Sequence, residues 1–75
     1  MTPYKNLSRR SGVLAYEIAR DSIAVQFEDG AIYLYTEKSA GRSGIEQMKD
    51  LAHAGRGLST FIVRHVRKAY ALRLR

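Results

Sequence analysis

Seventy-five residues provide room for one domain, and a chain this short buries only about 60% of its unfolded surface. It has no cysteine, and its two histidines, His53 and His65, stand apart in the chain. A disulfide framework and a thiolate metal site are therefore excluded, and the fold must stand on packing alone or gain stability from a partner, including a second copy. The formal net charge is +6, from 13 Lys and Arg against 7 Asp and Glu.

The first twenty residues hold Lys5, Arg9, Arg10, Glu17 and Arg20 and no long apolar block. The longest apolar run is Ala31 to Tyr35, far short of the ~20 residues a membrane span needs. A cytoplasmic protein without a membrane partner is the expectation. Residues 1–11 are polar and basic, contain Pro3 and show no periodicity, so they read as a flexible basic arm in front of a single α+β domain over 12–75.

From Leu14 the period becomes two. Leu14, Tyr16 and Ile18 share one face of a first strand. After an Arg20-Asp21 turn, Ile23, Val25 and Phe27 share one face of a second, which sets Ile18 opposite Ile23, Tyr16 opposite Val25 and Leu14 opposite Phe27. Asp29-Gly30 signals a second hairpin, and Ala31 to Thr36 is rich in β-branched and aromatic residues. Two registers are open there. A two-residue Asp29-Gly30 turn puts Ile32 and Leu34 in the core. A three-residue Glu28-Asp29-Gly30 loop with Gly30 in a bulge turns Tyr33 and Tyr35 inward instead. The aliphatic register is favoured, because burying Ile and Leu requires no hydroxyl partner.

Lys38 to Gly44 reads as a loop, with Ser43 and Glu46 at capping-box spacing before a helix that carries Ile45, Met48, Leu51 and Ala52 and stops at Gly55. A second helix starts near Ser59. Leu58, Phe61, Ile62, His65, Val66, Ala69 and Tyr70 line one stripe, and Arg64, Arg67, Lys68, Ala71 and Arg75 lie opposite. The expected fold is thus α+β, a three-stranded antiparallel β-meander followed by two α-helices packed on one face.

The charge is unevenly spread. Residues 1–55 hold seven basic and seven acidic groups, which cancel, whereas residues 56–75 hold Arg56, Arg64, Arg67, Lys68, Arg73 and Arg75 and no acid. A ridge of guanidinium groups on one element suits phosphate oxygens and attracts a polyanion, either nucleic acid or an acidic protein. Tyr33 and Tyr35, if exposed, would stack on unpaired bases. Otherwise they are core residues or the face of a homodimer. Gly55-Arg56-Gly57 before Ser59-Thr60 could hold a phosphate at a helix start, although a glycine-permitted turn with a Ser or Thr cap accounts for it as well. No arrangement of His, Asp, Glu or Ser suggests catalysis, a metal site or a cofactor. His53 and His65 read as boundary or core residues, and no enzymatic activity is expected.

The run Ala24-Val25-Gln26-Phe27-Glu28-Asp29-Gly30-Ala31-Ile32-Tyr33-Leu34-Tyr35 resembles the KTSC domain, a short module found alone in bacteria and at the C-terminus of some lysyl-tRNA synthetases. That family carries a tyrosine-x-tyrosine motif after an apolar strand and a glycine turn, and its last helix has an ending that Val66-Arg67-Lys68-Ala69-Tyr70 fits. The proline that usually follows the tyrosines is absent, which leaves room for a sister family. The resemblance implies a small accessory domain that binds RNA rather than DNA, through Tyr33, Tyr35 and the basic helix. The competing reading is a homo-oligomeric protein-interaction module whose charge serves solubility.

Overall fold

The computed structural model describes residues 1–7, 9 and 11–75. Five antiparallel strands form one open sheet in the order β1-β2-β3-β4-β5. They are β1 (Thr2–Pro3), β2 (Val13–Ala19), β3 (Ser22–Phe27), β4 (Ile32–Thr36) and β5 (Leu72–Arg73). Between β4 and β5 lie α1 (Glu37–Ala40), α2 (Arg42–Ala54) and α3 (Leu58–Phe61), the last continuing as a π-helical turn over Ile62–Val66. The α+β class and the central meander stand as expected. Two further strands and a more broken helical layer do not.

The first hairpin follows the sequence pattern, with Ile18 opposite Ile23 and Tyr16 opposite Val25. At its open end a bulge between Val13 and Ala15 shifts the pairing, so Val13 rather than Leu14 faces Phe27. Val13 is buried and Leu14 is exposed, because one extra residue exchanges the faces.

The second hairpin takes the register that was not favoured. Phe27 N–H donates to Ala31 O and Gly30 N–H to Phe27 O, each at 2.9 Å, which closes a three-residue loop. Two local features select it. Gly30 has φ of 90°, and Asp29 Oδ1 accepts the Ala31 N–H at 2.9 Å, a bond that short polar side chains readily make two residues on. Tyr35 then stands opposite Ile23 and Tyr33 opposite Val25. Both tyrosines face the helices, and Tyr35 is 1% exposed. The expected hydroxyl penalty does not arise, since among the described residues no buried side-chain nitrogen or oxygen lacks a partner. Ile32 and Leu34 move to the other face and stay half-buried.

The core lies between the sheet and the helices: Val13, Tyr16, Ile23, Val25 and Tyr35 meet Ile45, Met48, Ala52, Leu58, Ile62 and Val66. The stretch expected as a flexible arm supplies part of it. Thr2 and Pro3 pair with Tyr16 and Ala15, Tyr4 is buried in the same cluster, and Leu7 N–H donates to Gly55 O at 2.7 Å. Tyr4 is an isolated aromatic in a polar segment, so no periodicity marks it, yet its ring completes the core and its hydroxyl accepts the Leu58 N–H at 3.3 Å.

The expected loop over 38–44 is helical. Thr36 and Ser39 form a reciprocal capping box at the head of α1, and Gly41, with φ of 83°, passes the chain directly into α2. Ser43 therefore sits inside the first turn rather than capping it, and its Oγ accepts from Gln47 Nε2 at 3.3 Å. Gly55 ends α2 in the left-handed conformation, as expected.

The last helix is much shorter than the basic stripe suggested. It ends after Val66 with a turn at Arg67 and Lys68, and the chain crosses to the sheet, where Ala71 N–H donates to Leu34 O and Leu74 N–H to Ile32 O, each at 2.7 Å. Pairing satisfies carbonyls that β4 would otherwise expose at an edge. The signal was present: Leu72-Arg73-Leu74-Arg75 alternates with period two.

Candidate nucleic-acid interface

The six cations of residues 56–75 are all exposed, but they stand on three elements and not on one helical ridge. Arg56 lies in the Gly55–Gly57 turn. Arg64, Arg67 and Lys68 lie on the solvent side of the last helical segment, because Leu58, Ile62 and Val66 on its other side are buried against the core. Arg73 and Arg75 belong to the sheet edge. Arg73 pairs with Tyr33 across β4 and β5, and its guanidinium carbon stands 5.6 Å from the Tyr33 ring centroid. Arg73 Nε donates to Arg75 O at 2.9 Å, which holds the edge segment in one course. No Asp or Glu follows Asp50 in the chain, so these cations have no acidic neighbour within their own segment.

The aromatic part of the expected site changes membership. Tyr35 is a core residue and cannot stack on a base. Burial first, and the neighbouring Tyr33 and Tyr70 phenols after it, push its pKa up to about 12. Tyr33 is half-buried and already covered: Tyr70 lies 4.7 Å from it, Phe27 meets it edge-on at 5.9 Å, and Arg73 stands over it. Of the seven Phe and Tyr side chains, Tyr70 alone is exposed, at 40%. Its ring also reaches Tyr35, edge-on at 6.4 Å.

Tyr70 thus projects to solvent from a fixed aromatic stack, between Lys68 and Arg73 in the chain. The helical stripe had placed it among the core residues. Its exposure arises because the helix stops short of it, which no local pattern in residues 58–70 shows.

No family model matches the chain, and no characterised protein or solved structure does. The resemblance therefore rests on residues 24–35 and 66–70 alone, and the role of the site must be argued from its chemistry.

The Gly55–Gly57 turn is engaged internally: the Leu58 N–H is taken by Tyr4, the Gly55 carbonyl by Leu7, and neither Ser59 nor Thr60 caps α3. The histidines, expected at a boundary or in the core, are instead exposed, His53 edge-on to Tyr16 at 6.3 Å and His65 tilted over Phe61 at 4.8 Å, because both stand on the outer sides of their helical segments. Among the described residues no group of three His, Asp or Glu side chains is placed to hold a metal ion, and no helix is long and apolar enough to cross a membrane.

Proposed function

We propose that this chain is a small non-catalytic domain that binds single-stranded nucleic acid, RNA in preference to DNA, through its basic C-terminal segment. One observation carries the reading: Tyr70, the single exposed ring among the Phe and Tyr side chains, lies within a segment whose charged groups are all cationic and all exposed. Arg64, Arg67 and Lys68 contact phosphates from the helix, Arg73 and Arg75 from the sheet edge, and Tyr70 stacks on one unpaired base. Arg56, at the far end of the helical segment, adds to the positive field without reaching the stacked base.

A single strand fits better than a duplex. The one helix long enough to fill a major groove is α2, and its exposed positions include Glu46 and Asp50, which repel phosphate. An unpaired base, by contrast, offers a π face to one ring and phosphates to scattered cations.

The test is fluorescence anisotropy with labelled single-stranded RNA and duplex DNA at low and physiological salt. Binding is expected to favour the single strand. Replacing Arg64, Arg67 and Lys68 together with Ala should reduce the salt slope by about two, at roughly 0.7 for each phosphate that is no longer neutralised. Tyr70→Ala should cost about 1–3 kcal/mol of binding, while Tyr70→Phe keeps most of it. Unchanged affinity in the triple variant overturns the assignment.

A further inference from the structure

The helices cover one face of the sheet. The pairing register assigns the other face residue by residue. Glu17, Ala24, Leu34 and Leu72 form one cross-strand row, and Pro3, Ala15, Gln26 and Ile32 form the next. Alternation along the last segment places Leu74 on the same side as Leu72. None of these residues belongs to the core cluster or packs against it, and Leu72 and Leu74 are 54% and 52% exposed.

Two properties of the sheet identify its occupant. The apolar bulk of this face is lopsided: Ile32, Leu34, Leu72 and Leu74 stand on β4 and the β5 segment, whereas β2 and β3 present Ala15 and Ala24 beside Glu17 and Gln26. A twofold axis along the strands, between two such sheets, lays the bulky half of one copy over the small half of the other. Edge-to-edge pairing is disfavoured, because Pro3 interrupts the β1 edge and two β5 edges would set Arg73 and Arg75 against their own copies.

We infer that a second copy of this chain packs on the open face, sheet to sheet, in a four-layer α/β/β/α dimer. Five strands at about 4.8 Å spacing make a face roughly 20 Å wide. The pair then buries on the order of 1,000 Å2, the lower end for a specific interface, so a weak dimer is expected. Arg64, Arg67, Lys68 and Tyr70 remain on the outer layers, and the dimer stands whether or not nucleic acid binds.

Sedimentation equilibrium from about 10 μM to about 1 mM tests it. The expected result is a shift from the 8.5 kDa monomer toward twice that mass. Leu34→Asp should abolish the shift with the far-UV circular dichroism unchanged. Leu72→Asp, a change at an exposed residue outside the core cluster, should weaken association at least about tenfold. A monomer throughout the range overturns the inference, as does a dimer that persists undiminished in both variants.

Discussion

The two faces of this sheet reverse the ordinary assignment of side chains. The face against the helices holds Tyr16, Tyr33 and Tyr35 beside Ile23 and Val25, while Ile32, Leu34 and Leu72 lie on the uncovered one. The difference between them comes from a single turn. Asp29 and Gly30 close a three-residue loop rather than a two-residue one, and every side chain of β4 exchanges faces. Apolarity alone does not choose the buried face of a short strand when both of its faces are apolar.

Truncation should separate the two faces most sharply. Tyr35→Ala should cost about 3–5 kcal/mol, comparable with the whole stability expected of a domain this size. Leu34→Ala, one residue away on the open face, should cost about 1 kcal/mol or less for the isolated chain. Urea unfolding at low protein concentration, where a dimer does not contribute, measures both. Equal losses would mean that the two faces are equally buried.

Gly30→Ala tests the turn. Nothing lies within 4 Å of the added Cβ, so the cost is that of holding φ at 90°, about 1–2 kcal/mol. A neutral substitution would show that the three-residue loop does not set the register.

Alkaline pH sharpens the same contrast. Because the folded Tyr35 phenol is raised from 10.0 to about 12, its contribution is complete below pH 10 and is lost as pH rises toward 12. Burial also raises Tyr4, against the opposing Leu58 N–H bond, so Tyr35→Phe should flatten most but not all of the decline. Melting temperature across pH 9–12, roughly the range in which phenols titrate, reads this out. An identical decline in wild type and Tyr35→Phe would place that phenol in water.

The smallest effect belongs to the exposed cations. Replacing Arg64, Arg67 and Lys68 with Ala should change stability by about 0.5 kcal/mol or less while weakening the proposed binding. A large loss of stability in that variant would give those side chains a structural role and remove the separation between core and interface.

The two ends of the chain show how much was legible. The N-terminal segment looked structureless because a lone Tyr4 among polar residues makes no periodic pattern, yet it pairs with β2 and seals the core. Near Gly55 its fit is close: a Cβ there would meet Lys5 Cβ at 2.6 Å, so a glycine read as a helix stop also admits this segment. The C-terminal segment carried two overlapping periods. The helical stripe through Tyr70 was the more conspicuous, and the period of two in residues 72–75 was hidden behind it. The helix yields to the strand because β4 offers carbonyls at Ile32 and Leu34 that only an extended chain can reach.

The sequence by itself determined the α+β class, the pairing of Ile18 with Ile23 and of Tyr16 with Val25 in the first hairpin, the end of α2 at Gly55 and the confinement of the surplus charge to the last twenty residues, because each depends on residues close in the chain. Which face of β4 is buried, that the N-terminal segment is part of the core, and that Tyr70 rather than Tyr35 meets solvent were decided only by tertiary structure. Those outcomes turn on contacts between distant segments, Tyr4 with Leu58, Tyr33 with Tyr70 and Leu34 with Ala71, and no local pattern records which partner satisfies a given ring or carbonyl.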